Sequence, residues 1–332
     1  MPSKIVDNIH LNVKVNNPTH VMELPEQVVK VELSPFEWSH NLICIALPKL
    51  ISVRVIKFQE EDEELEEEVD LELLQDFTIN CRVDALAWSP ETSLNVLPKC
   101  IMFCAATKDF NLRLFSSNTV DAYSEQVLTG HTDYINSIAF ESNGEYLASA
   151  SDDLSCRLWA MKDGQKCVAE FALKSPGMSV CWHSEEPGKL LVGEKNGTVR
   201  IYNVERQQAI LSFETFQTPL LAADWSPANS LLVAAIAGGS LFVWNITRPN
   251  VPLDRQILHS KGWLLRCSHQ SDQHFATIGQ PANTLKVVHT SVKQPIANAA
   301  LKCVGGLSWH RKLPYVCVGV DRSICLWKIA TN

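Results

Sequence analysis

Hydrophobic residues in this chain fall in short runs. Leu231 to Ala237 is a continuous apolar stretch of strand length, the pattern of a strand covered on both faces. Ile9, Leu11, Val13 and Val15 alternate with the polar residues His10, Asn12, Lys14 and Asn16, and Val69, Leu71 and Leu73 alternate with Asp70 and Glu72. Period-two alternation predicts strands with one covered face. Asn196-Gly197 and Gly238-Gly239 predict tight hairpins, because such turns need positive φ. These signals together predict an all-β protein.

The runs recur with a period. A clear unit starts at Gly130-His131, continues through Ile135 to Phe140 and Tyr146 to Ser151, and ends with Asp153 six residues before the aromatic of Arg157-Leu158-Trp159. This unit resembles the WD repeat of β-propellers. The ending returns as Arg113-Leu114-Phe115, Arg200-Ile201-Tyr202, Phe242-Val243-Trp244 and Cys325-Leu326-Trp327, and more faintly as Arg54-Val55-Ile56 and Lys286-Val287-Val288. Successive endings lie 59, 44, 43, 42, 44 and 39 residues apart, against a family period of about 40–45 residues per four-stranded blade. A second anchor precedes each ending, at Trp88-Ser89-Pro90, Phe140, Trp182-His183, Trp225-Ser226-Pro227 and Trp309-His310, with fainter matches at Leu33-Ser34-Pro35 and His269. Both anchors count to seven, so the expected fold is an all-β, seven-bladed WD-repeat β-propeller spanning residues 1–332 as one domain.

Seven of the nine tryptophans stand on these anchors, at 88, 159, 182, 225, 244, 309 and 327. Trp88, Trp182, Trp225, Trp244, Trp309 and Trp327 are therefore expected to pack between blades, where a large ring removes the most apolar area from water. Only Ala330, Thr331 and Asn332 follow Ile329, too few for the outer strand of the last blade. The N-terminal strand over residues 9–15 is expected to supply it and so close the ring, which removes exposed sheet edges.

Composition narrows the function. With 46% hydrophobic and 20% charged residues the chain is globular, and no run of 18 apolar residues occurs to form a helical membrane span. The formal charge of −8 is a local feature, because Glu60 to Glu72 holds ten acidic residues and no basic one, leaving the remainder at +2. A generally basic surface for nucleic acid is absent. The long spacing across this run marks residues 59–68 as an acidic insertion between two strands of the first blade, expected to stay extended and apart from the core by self-repulsion. Eleven cysteines, mostly within apolar runs, read as buried thiols, and Cys100 with Cys104 lacks the second pair a zinc site needs.

Candidate chemistry is sparse. His131, Asp153 and Ser149 superficially suggest a Ser-His-Asp triad, but no nucleophile elbow accompanies them. The resemblance to WD repeats implies a structural hydrogen-bond network of His131, Asp153, Ser149 and Trp159. GxxxxGK, GxGxxG and HExxH are missing, which removes the usual sequence support for phosphate and zinc chemistry. No catalytic, cofactor or metal residues are assigned, and no small-molecule substrate is expected.

The spellings between anchors go further. Arg82-Val83-Asp84 leading into Ala87-Trp88-Ser89-Pro90, Ser175-Pro176-Gly177-Met178-Ser179-Val180-Cys181-Trp182-His183, Glu194 to Arg200, Gln207 to Ser212 and Leu307-Ser308-Trp309-His310 resemble the family of small WD-repeat nucleoporins, close in mass to this 37.1 kDa chain, of the Y-shaped outer-ring complex of the nuclear pore. The resemblance implies a non-enzymatic scaffold at the nuclear envelope. Its implied partners are a long nucleoporin combining a propeller with an α-solenoid and other outer-ring subunits. It further implies roles in pore assembly, protein import, RNA export and mitotic kinetochore attachment, with neither direct nucleic-acid contact nor membrane insertion. The alternative is a WD-repeat substrate adaptor of a cullin-type ubiquitin ligase, although no anchor carries the Trp-Asp-x-Arg ending common there. Trp38, Trp263 and the loop from Pro249 to Pro252 are the candidate surface features.

Overall fold

The structure, a computed structural model, describes residues 16–162 and 164–330. Seven antiparallel sheets of four strands each stand around an axis, every blade running from an inner strand beside the axis to an outer strand at the rim. The inner strands are Lys30–Leu33, Val83–Trp88, Ile135–Phe140, Gly177–Trp182, Leu220–Trp225, Lys261–Cys267 and Val304–Trp309, in blades 1 to 7. Neighbouring inner strands pack side by side all the way round, blade 7 against blade 1 included. The seven endings, five of them aromatic, fall in the third strand of each blade, from Leu50–Phe58 in blade 1 to Ser323–Lys328 in blade 7. One upstream anchor shifts: the inner strand of blade 6 ends at Cys267, so His269 lies two residues beyond it, in the following loop.

The second strands are buried at nearly every position because both faces are covered. Leu42–Ala46 is buried throughout, and Leu232–Ala237 nearly so. Each sheet thus shares apolar side chains with two neighbours, and the core divides into clusters drawn from adjacent blades. Phe77, Phe103 and Phe115 join blades 1 and 2, while Phe58, Tyr315 and Leu326 join blades 7 and 1. In every blade but the third, where Glu141 instead holds the Gly188 N–H of blade 4, the residue after the inner-strand anchor caps the next turn. Ser34, Ser89, Ser226 and Ser268 accept a backbone N–H two or three residues on, and the His183 and His310 Nδ1 atoms do the same with two N–H groups each.

The last blade is closed from the N-terminal side, but by another segment than expected. His20–Glu23 pairs antiparallel with the third strand of blade 7, His20 opposite Leu326 and Glu23 opposite Ser323. The alternating residues 9–15 lie outside the described residues, and the place assigned to them beside Ser323–Lys328 is already filled. Adjacent apolar Val21 and Met22 in so short a strand hide the alternation by which it could be read. The chain then crosses into blade 1 against Gly305 and Gly306. A Cβ at Gly305 would come within 2.5 Å of the Val28 carbonyl, and Gly306 has a φ of +117°, which favours glycine.

Candidate interaction face and buried networks

In blade 3 the predicted network residues meet. The outgoing loop of blade 2 delivers His131, whose Nδ1 lies 2.7 Å from Asp153 Oδ2 and whose Nε2 lies 2.7 Å from Ser149 Oγ. The Trp159 indole N–H donates to the same Ser149 oxygen at 2.9 Å. Asp153 also accepts the Thr132 N–H and the Ser155 N–H and hydroxyl. Burial holds His131 below the usual histidine range although Asp153 pulls it upward. Burial works against the Asp153 charge, but hydrogen bonds from Ser155 and His131 outweigh it and keep the carboxyl low. The Ser149 side chain is fully enclosed, so its hydroxyl is a junction between histidine and indole with no path to a substrate.

Blade 6 holds a second, incomplete copy that no motif in the sequence marks. His259 Nε2 lies 3.0 Å from Thr277 Oγ1, at the same eighteen-residue spacing as His131 and Ser149. The positions of Asp153 and Trp159 are filled here by Pro281 and Val288, and His259 Nδ1 is buried without a partner. Burial lowers its pKa to about 4. The spacing was the available signal; without the flanking glycine and tryptophan it did not stand out.

The tryptophans at the ends of inner strands do more than fill space. The Trp88, Trp182 and Trp309 indoles donate across blade boundaries to the carbonyls of Glu32, Ala139 and Arg266 at 3.0, 2.9 and 3.0 Å. Trp225 donates within its own blade to Ser230, Trp327 donates to the Asn16 carbonyl, and Trp244 stacks on Phe242. In the same direction, the Val180, Ala223 and Leu33 amides donate to Ser137, Ser179 and Ser308 of the preceding blade, and the Cys267 amide donates to Asp224.

The inner strands enclose a channel of about 390 Å³, opening on the face that carries the loops between first and second strands. Arg266 stands 3.8 Å from Glu32 inside it, with Asp224 and Lys30 nearby. Burial pushes Glu32 and Asp224 up and Lys30 down, while Arg266 favours ionised Glu32 and Asp224. At the mouth, Trp38 is 46% exposed and stacked on Phe36, and His269 faces Arg311 at 3.3 Å. Trp263 instead packs into the core between blades 6 and 7. Val251 in the loop from Pro249 to Pro252 is well exposed. Among the described residues, no group of three or more His, Cys, Asp or Glu is placed to hold a metal ion.

Residues 59–68 join Leu50–Phe58 to the outer strand Val69–Thr78 of blade 1, and they are not detached from the body as self-repulsion alone suggested. Glu60 accepts the Tyr315 hydroxyl at 2.8 Å and the Lys328 ammonium at 2.6 Å, both from blade 7. Burial disfavours its charge, but Lys328 and Tyr315 outweigh that and hold the carboxyl low. Glu61 approaches His40 at 3.2 Å and Glu68 approaches His20 at 3.4 Å. The run therefore clasps the seam where the ring closes. Its partners lie up to 268 residues away in sequence, which is why local charge density did not reveal them.

Seven four-stranded blades, aromatic third-strand endings and the His131 network define a WD-repeat β-propeller, and the family description WD domain, G-beta repeat, matches residues 123–160. The similarity to whole proteins is more specific. Nucleoporin Nup37 of Mus musculus and of Homo sapiens are each 41% identical over 318 residues, covering 94% of this chain and 97% of theirs. Nucleoporin Nup37 of Drosophila melanogaster is 37% identical over 322 residues, covering 95% of this chain and 98% of its own. The chain belongs to the nucleoporin Nup37 family, and its role is that of a nucleoporin.

Proposed function

We propose that this nucleoporin is a non-enzymatic scaffold subunit of the Y-shaped outer-ring complex, docked beside a long nucleoporin built of a propeller and an α-solenoid. In that place it supports pore assembly and nucleocytoplasmic transport, including RNA export and protein import, and it contributes to kinetochore attachment in mitosis. The observation that carries the reading is similarity to nucleoporins along almost the full length of both chains. The enclosure of Ser149 between His131 and Trp159 supports a structural role for the only triad-like set found in the sequence, since a nucleophile must reach its substrate.

The test is a tagged chain expressed at its native level, recovered by affinity purification and imaged through the cell cycle. Enrichment of outer-ring nucleoporins, signal at the nuclear rim and signal at mitotic kinetochores are expected. Recovery of a cullin adaptor without nucleoporins would overturn the proposal in favour of a ubiquitin-ligase adaptor.

A further inference from the structure

On the same face as the channel mouth, a notch of about 350 Å³ opens between blades 3 and 4. Taking ~30 Å³ per water, it has room for roughly ten, far more than one bridging molecule. Three carboxylates line it: Glu141 and Glu145 from the first turn of blade 3, and Glu205 from the last turn of blade 4. Val168 and Pro187 form apolar walls.

Glu141 is the informative group. It is 1% exposed. Its Oε1 is held by the Gly188 N–H at 2.6 Å, while Oε2 is buried without any hydrogen-bond partner. An unsatisfied buried carboxylate oxygen is costly, and burial raises the Glu141 pKa. The cation whose charge acts on Glu141 is Lys162, which spans 3.6 Å to Glu145 with both side chains at least half exposed. A donor with positive charge is what the vacant oxygen lacks.

We propose that this notch receives an arginine side chain from a partner protein, with one guanidinium N–H donated to Glu141 Oε2. A guanidinium suits the site better than an ammonium, because its flat faces can lie on Val168 and Pro187 and it is less strongly hydrated. Glu145 and Glu205 at the entrance attract the cation and accept its remaining donors. The inference deepens the reading of the chain as a docking subunit. It is tested without the pore, so its failure leaves that reading standing.

The probe is a capped Gly-Arg-Gly tripeptide titrated into the full chain, followed by NMR of the Gly188 amide and the Val168 methyl groups, with lysine and citrulline tripeptides in parallel. The arginine peptide is expected to shift both signals saturably, the lysine peptide to bind more weakly and the citrulline peptide not to bind. Glu141→Gln keeps an oxygen for the Gly188 N–H and should weaken binding about tenfold or more. If Glu141→Gln does not fold, the paired exposed changes Glu145→Gln and Glu205→Gln should weaken binding several-fold. Absence of shifts up to about 20 mM peptide, equal binding of citrulline or lysine, or unchanged affinity in the folded variant would overturn the proposal.

Discussion

The substitution His310→Asn isolates one buried histidine at the seam between blades 7 and 1. His310 is 1% exposed, and its ring packs edge-on against Phe58 at 5.1 Å and His40 at 5.6 Å. Nδ1 accepts the Leu313 N–H at 2.8 Å and the Lys312 N–H at 3.3 Å, so a proton there would face two donors. Burial, followed by the nearby His40 and Lys312, lowers the pKa to about 3 from the ordinary histidine value of 6.5. Through that window the unfolded chain holds a proton that the folded chain does not, so stability rises with pH. The contribution is complete above pH 6.5 and is lost as pH falls toward 3. Between about pH 7.5 and 5 one such group costs about 2 kcal/mol, at 1.36 kcal/mol per unit.

Asparagine places an amide oxygen where Nδ1 stands and cannot take up the proton. The variant should lose about 1–2 kcal/mol at neutral pH through the missing ring, yet its stability should fall by about 2 kcal/mol less than the parent on acidification. Urea unfolding monitored by tryptophan fluorescence at the two pH values measures this. An equal acid-induced loss in parent and variant, with matched urea slopes, would refute the assignment of His310 as a neutral acceptor.

Further outcomes follow from the other contacts. His131→Ala leaves Ser149 and Asp153 short of a partner and should cost about 1–3 kcal/mol in urea unfolding; unchanged stability would remove the network from the account of blade 3. Glu60→Gln retains an acceptor for Tyr315 but loses the charge facing Lys328, so it should cost under about 1 kcal/mol, and less in high salt; a larger, salt-independent loss would contradict the exposed ion pair. Deleting residues 1–23 strips the edge of Ser323–Lys328 and should lower the melting temperature of the whole domain. Deleting residues 1–15 keeps that pairing, and an equal drop for both truncations would place the closing contribution upstream of His20.

The repeat is legible in the chain alone. Aromatic endings at Phe115, Trp159, Tyr202, Trp244 and Trp327 recur because every blade must bury the same two faces against like neighbours, so each writes the same local pattern. His131, Ser149, Asp153 and Trp159 were legible for the same reason, since the geometry joining them is contained within one unit. Whatever depends on the ends of the chain meeting or on neighbouring blades touching is set by closure of the ring. His20–Glu23 closes the ring because it lies beside Leu326 in space, and no local pattern marks it. Glu60 changes from a member of a repelling run into a clasp on Tyr315 and Lys328 once blade 7 arrives beside blade 1. The vacant Glu141 oxygen likewise exists only where blade 4 sets the Gly188 N–H against its partner oxygen. Burial and charge pairing belong to surfaces brought together by closure, and periodicity along the chain carries no record of them.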